Sequence, residues 1–202
     1  MKNRYVYLIR HGITEGNLAG KYIGTTDLPL CEQGRQDVEV LIRKGIYPDV
    51  DKVYSSPLTR CLDTAELIFP EKKLMIVDDI AEMDFGAFEG KKQEELVNLP
   101  EYVSWIKGGM DAAPPDGESF GDFSLRLVNG LDMIFSDMCA KDIARAAVVT
   151  HAGVITSLMV NFGLPKGKPA DFMCIPGGGF EILMSAYLWQ QGPTFEIGGR
   201  LI

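Results

Sequence analysis

Both histidines of the chain stand where a run of strand-forming residues breaks into glycine: Tyr5-Val6-Tyr7-Leu8-Ile9-Arg10-His11-Gly12, and Ala147-Val148-Val149-Thr150-His151-Ala152-Gly153. A histidine used only for packing could sit anywhere. Two apolar strands of an α/β sheet that both stop in this way point to one place, the carboxyl edge of a parallel sheet, where open α/β folds form their ligand crevice.

Periodicity extends this reading along the chain. It predicts a strand over 4–10, a helix over 32–44, a short strand over 52–55 and a helix over 57–69, with Ser56 as cap and Pro57 in its first turn. Leu58, Cys61, Leu62, Ala65, Ile68 and Phe69 form the apolar stripe of that helix. A short strand follows at 74–77. Residues 79–118 lose clear periodicity around Gly86, Gly90, Gly108, Gly109, Pro114, Pro115 and Gly117, which predicts an inserted cap with two short helices. Ser119 with Asp122 opens a long helix, a strand over 146–150 leads into a helix reaching about 162, and two extended segments close the chain near 180–188 and 194–200. The expected fold is α/β: a three-layer sandwich with a mostly parallel central sheet flanked by helices, plus a small helical cap.

At 202 residues the chain is a little over the usual domain size, so one domain over 1–202 is expected, with the cap at about 79–118. Twenty Lys+Arg against 28 Asp+Glu leave a net charge of −8, which argues against a nucleic-acid surface. The start, Met1-Lys2-Asn3-Arg4-Tyr5, has neither the apolar stretch nor the cleavage site of a signal peptide. No apolar run approaches a membrane span, and a cytoplasmic protein is expected. Cys31, Cys61, Cys139 and Cys174 are widely spaced and read as free thiols rather than metal ligands.

An acidic protein that binds an anion must concentrate positive charge locally. Arg10 and His11 leave the first strand as candidate anion clamp and nucleophile, with Gly12 allowing close approach. Helix geometry alone predicts a solvated Arg60, but Arg60 lies at a helix start whose preceding loop, Ser55-Ser56, leaves the same sheet edge. His151, with the backbone N–H groups of Ala152 and Gly153 at a second helix start, completes the cluster. Two guanidinium groups and two imidazoles suit a phosphoryl group. The neighbouring guanidinium charges would also keep His11 neutral and nucleophilic. Glu82 is a candidate general acid, because a departing ester oxygen needs a proton and Met83, Phe85 and Phe88 could raise its pKa by desolvation. Two decoys fail. The Cys139…Arg145 spacing follows a helix and lacks a glycine cradle, and Gly177-Gly178-Gly179 lacks the spacing of a dinucleotide site and reads as a turn or hinge.

Together, Leu8-Ile9-Arg10-His11-Gly12-Ile13-Thr14-Glu15-Gly16-Asn17, Ser55-Ser56-Pro57-Leu58-Thr59-Arg60-Cys61, Glu82 and Val149-Thr150-His151-Ala152-Gly153 resemble the histidine phosphatase superfamily, in its phosphoglycerate mutase-like branch. The resemblance implies that His11 attacks phosphorus, Glu82 protonates the leaving oxygen, and Arg10, Arg60 and His151 hold the transferring group. It also implies a phosphate contact from Asn17, a backbone contact to substrate from Ile23 and Gly24, and no metal or organic cofactor. Mutase members follow the acid with a basic pair where this chain has Met83-Asp84. The compact length and the stretch from Glu82 to Gly90 look more like small phosphatases, in particular the α-ribazole phosphatase type of cobalamin synthesis. The expected partner is a small phosphate ester, handled by a monomer or homodimer. The alternatives are mutase-type phosphoryl transfer and a non-catalytic phosphate-binding module.

Overall fold

The computed structural model describes residues 3–202; Met1 and Lys2, on which part of the expectation for the amino terminus rests, lie outside them. Seven strands form one sheet: β1 (Arg4–Arg10), β2 (Lys52–Ser55), β3 (Leu74–Ile76), β4 (Arg145–Thr150), β5 (Gly163–Leu164), β6 (Gly179–Met184) and β7 (Phe195–Arg200), in the order β3-β2-β4-β1-β6-β7-β5. The first helices are α1 (Glu15–Leu18), α2 (Glu32–Arg43) and α3 (Thr59–Ile68). Two short helices, α4 (Gln93–Leu96) and α5 (Pro100–Lys107), precede the long α6 (Phe120–Ala140), and α7 (Ala152–Phe162) and α8 (Ala186–Gln191) complete the set.

The sheet is mixed. β3, β2, β4 and β1 run parallel, β6 is antiparallel to both its neighbours, and β5 pairs parallel with β7. Four of the six strand pairings are parallel, as the expectation of a mostly parallel sheet requires, and β6 is the one strand that runs against the others. The reversal comes from the glycine turn: Gly177, at φ 76°, gives its N–H to the Arg10 and His11 carbonyls. The chain thus enters β6 at the carboxyl end of β1 and has to run back along it.

Both faces of the central strands are covered, as expected of buried parallel strands. Val6, Leu8, Tyr54, Ala146 and Val148 face a core shared with α6 and α7, while Tyr7, Ile9, Val53, Ala147 and Val149 face a second core with Cys61, Ala65 and Phe69 of α3 and its end. This period-2 alternation makes three layers: helices, sheet, helices.

Two sequence expectations fail locally. The segment predicted as extended to 188 stops at Met184, because the Ser185 side chain accepts the Leu188 N–H and starts α8. Helix α3 begins at Thr59 rather than at Pro57, and Ser56 does not cap it. Asp27, from a distant loop, instead accepts the Thr59 N–H and hydroxyl, each at 2.7 Å.

Between β3 and α6 the chain forms two 3-10 turns, α4 and α5. Its aromatic side chains gather with Phe120 at the start of α6 and with Tyr22 from the loop after α1. Trp105 stacks on Phe120 with ring centroids 5.6 Å apart, and Tyr22, Phe85, Phe88 and Tyr102 surround them edge-on or tilted. Such contacts favour a fixed arrangement beyond their buried area.

Candidate active site

Strand register brings the two histidines together. β1 and β4 pair Ile9 with Val149 and Arg10 with Thr150, so His11 and His151 leave the sheet side by side. The His11 N–H continues the ladder to the Thr150 carbonyl, and the imidazole ring centroids lie 5.2 Å apart. β2, paired with β4 through Ser55 and Val149, delivers Ser56 to the same edge.

Ring protonation follows from the fixed partners. Nδ1 of His11 lies 2.6 Å from the Gly12 carbonyl oxygen. That oxygen can only accept, so Nδ1 carries the proton and Nε2 presents a lone pair. In His151, Nδ1 faces the Arg60 Nε–H at 3.3 Å and must accept, which leaves Nε2 to donate to the Ser56 hydroxyl at 2.8 Å. Both rings are buried, and both stay neutral at pH 7. Burial first, and the Arg60 charge second, push His11 from 6.5 to about 3. Burial also drives His151 well below its ordinary value, with His11 and Arg60 adding to the effect. The guanidinium effect read from the sequence is therefore real for His11 but second to desolvation.

Arg60 corrects the expectation of a solvated side chain: it is 1% exposed. Helix α3 packs its Arg60 side under the loop around residues 24–26, where Nη2 donates to the Gly24 carbonyl at 2.7 Å and Nη1 to that of Thr26 at 3.0 Å. A planar fork with five donors holds loop carbonyls and His151 together and keeps an N–H on each terminal nitrogen for a ligand. Arg10 donates from Nη1 to the Cys174 carbonyl at 2.8 Å, and its buried Nε–H has no partner among the described residues. Gly12 N–H donates to Thr64 Oγ1, which donates to the Arg60 carbonyl, so the nucleophile loop and α3 are joined directly.

Glu82 sits against the start of α7. One carboxylate oxygen accepts the Met83 N–H at 3.0 Å and the other the Gly153 N–H at 3.1 Å. Burial raises its pKa above the ordinary 4.5, and the two N–H bonds and the Arg60 and Arg10 charges oppose that shift without cancelling it. The protonated form is thus favoured more than in water, as general acid work requires. Helix α7 has no side-chain cap of its own at His151, and the carboxyl group of Glu82 supplies an acceptor at that end.

Asn17 directs its side-chain oxygen to the Thr14 N–H and hydroxyl, each at 3.0 Å, as part of the α1 cap, leaving its Nδ2 group to donate. Gly24 has both backbone groups engaged, the carbonyl with Arg60 and the N–H with Glu89 at 2.8 Å. Ile23 packs against Gly16, where a Cβ would meet Ile23 Cγ1 at 2.5 Å. Ala152 lines the adjoining cavity beside Gly153. The sequence reading missed Ser56 as a partner of His151. Its only local signal, a hydroxyl before Pro57, is equally that of a helix cap.

A cavity of about 530 Å³ opens beside Arg10 and Gly153, walled by Met83, Phe85, Trp105 and Phe123, with Met173 at its edge. Thr156, Ser157 and Asn161 give its α7 wall some polar groups. Among the described residues no group of three or more His, Cys, Asp or Glu is placed to hold a metal ion, and no helix is long and apolar enough to cross a membrane.

Comparison with known proteins gives the family. The chain is 30% identical over 161 residues to the adenosylcobalamin/alpha-ribazole phosphatase of Salmonella typhimurium, covering 76% of this chain and 77% of that one. The fold matches the crystal structure of the alpha-ribazole phosphatase from Shigella flexneri with a TM-score of 0.81 at 23% identity, over 96% of this chain and 95% of that one. It also matches a phosphoglycerate mutase from Thermus thermophilus with a TM-score of 0.71 at 28% identity, over 98% of each chain. Residues 6–179 match the histidine phosphatase superfamily (branch 1), and the chain belongs to that family.

Proposed function

We propose that the chain is a metal-independent phosphomonoesterase working through a phosphohistidine on His11. The observation that carries this reading is the neutral His11 ring, its Nδ1–H fixed on the Gly12 carbonyl, facing His151 across a crevice lined by Arg60 and Glu82. Nε2 of His11 attacks phosphorus while the ester P–O bond breaks and Glu82 gives its proton to the departing oxygen. Arg10 offers its Nε–H and Arg60 turns its N–H groups from His151 to the phosphoryl oxygens; with its proton moved to Nδ1 and Nε2 accepting from the Ser56 hydroxyl, His151 donates to the same group, and together they stabilise the charge of the transition state. Glu82, now a carboxylate, takes a proton from the water that attacks the phosphohistidine. Inorganic phosphate leaves and the starting state returns.

The leaving alcohol occupies the apolar cavity. Among the described residues its walls carry no cation apart from Arg10, which favours a neutral, partly aromatic alcohol over a carboxylated one, and Met83-Asp84 after the acid offers no basic pair for a phosphoglycerate. An α-ribazole 5'-phosphate, the ester suggested by the names of the relatives, has this character. In this reading the chain is one domain, and residues 79–118 form a cap over the site. It acts in the cytoplasm on small phosphate esters, as a monomer or a homodimer.

The test is a substrate panel of an aryl phosphate, α-ribazole 5'-phosphate, phosphoserine and 3-phosphoglycerate primed with the bisphosphate. Hydrolysis of the first two, with an acid-labile phosphoenzyme that disappears in His11→Ala, is the expected outcome. An active His11→Ala protein would overturn the mechanism, and isomerisation of phosphoglycerate at the rate of hydrolysis would replace a phosphatase by a mutase.

A further inference from the structure

Glu82 belongs to no strand or helix. It follows the 3-10 turn Asp78–Ile80, and among the described residues its carboxyl group is held by two backbone N–H groups. Its place in the crevice therefore depends on whatever holds the backbone of 79–84. Arg126, in the second turn of α6, directs all five of its N–H groups to this task and to one carboxylate. Nη1 donates to the Asp79 carbonyl at 3.0 Å and the Ala81 carbonyl at 2.7 Å, and Nη2 donates to the Glu82 carbonyl at 2.9 Å. Nε and the other hydrogen of Nη2 grip the Glu118 carboxylate at 2.6 and 2.8 Å, in the paired geometry that fixes a guanidinium plane.

Glu118 closes the arrangement from the other side. Its N–H donates to the Asp84 carbonyl at 3.0 Å, and its carboxylate accepts the Asp84 N–H at 3.4 Å. The two side chains are 24% and 15% exposed. A surface ion pair of that kind contributes little by itself. Three carbonyl bonds within a four-residue stretch do something different, because they fix the backbone that carries the proton donor. A lysine could not replace them, since an ammonium has fewer donors and no rigid plane.

We infer that Arg126, oriented by Glu118, is a positioning residue for the general acid: it sets the Glu82 backbone so that the carboxyl group meets the leaving oxygen. The inference rests on the phosphatase reading above. It predicts a defect that depends on the leaving group, because a 2,4-dinitrophenolate departs without a proton whereas an alkoxide needs one.

The experiment compares kcat/KM for 2-phenylethyl phosphate and 2,4-dinitrophenyl phosphate in the wild type, Arg126→Lys, Glu118→Gln and the reference Glu82→Gln. Proton donation contributes on the order of 10² or more. Arg126→Lys is expected to lose at least about tenfold more on the alkyl ester than on the dinitrophenyl ester, with Glu118→Gln following in the same direction. Equal losses on both esters, or no loss on either, would overturn the inference by assigning Arg126 to the fold alone. If Arg126→Lys does not fold, Glu118→Gln decides by the same ratio. A wild type inert toward both esters refutes the phosphatase reading instead. Amide exchange then decides the inference: in Glu118→Gln the Met83 and Gly153 N–H groups should exchange faster while the central strands stay protected, and unchanged exchange there overturns it.

Discussion

His11→Gln should remove a specific part of the protein's acid sensitivity. The wild-type imidazole is 5% exposed, and burial with the Arg60 charge moves it from 6.5 to about 3. Between those values the unfolded chain binds a proton that the folded chain refuses, so the unfolded state is favoured as pH falls. Stability from this group is fully present above 6.5 and is lost progressively on the way down to about 3. At roughly 1.4 kcal/mol per pKa unit, the loss is negligible at pH 7, about 2 kcal/mol at pH 5 and about 3 kcal/mol at pH 4. Glutamine keeps a polar side chain of similar reach and does not titrate. Glu82, whose raised pKa acts in the opposite direction, is present in both proteins, and His151, whose pKa His11 helps to lower, is relieved of that effect in the variant, which adds to the difference in the same direction. The assay is urea unfolding followed by fluorescence of the two tryptophans, at pH 7, 6, 5 and 4. The stability difference between wild type and His11→Gln should shift by about 2 kcal/mol from pH 7 to pH 5, against the wild type. A difference that stays constant with pH would mean that His11 titrates normally in the folded protein, and the account of a buried neutral nucleophile would fall.

Gly153→Ala should separate stability from chemistry. The helix position tolerates alanine, which propensity favours by about 1 kcal/mol, but a Cβ there would overlap the Glu82 carboxylate. A displacement near 1 Å should cost on the order of 10² in kcat/KM for alkyl esters, and wild-type turnover of those esters would count against Glu82 as the acid. Met173 is 69% exposed at the edge of the cavity. Met173→Ser should raise KM for esters of aromatic alcohols several-fold while leaving stability within about 0.5 kcal/mol; an unchanged KM would place the leaving group elsewhere.

Much of this protein is legible from local sequence because local physics decides it. Apolar runs ending in His-Gly and Thr-His mark β1 and β4, periodic apolar positions mark α3 and α6, and the motif residues mark the family. Those signals lie in a strand, a helix or a turn, where neighbours in sequence are neighbours in space. The glycine turn before β6 is visible as a break, but the direction of the strand after it depends on hydrogen bonds to the Arg10 and His11 carbonyls, which periodicity does not encode.

What only the tertiary structure decided are the contacts between distant segments. The burial of Arg60 under the Gly24–Thr26 loop, the bond from Ser56 to His151 that fixes a tautomer, and the seating of Glu82 at the start of α7 join residues between 34 and 95 positions apart. Arg126 carries no local sign of its task either, since on a helix wheel it is one more charged residue beside an apolar stripe. Residue type determines which chemistry each side chain can perform. Register across the sheet and desolvation at its edge determine which of them meet, whether an imidazole there is neutral, and in which direction the pKa of a carboxyl group moves.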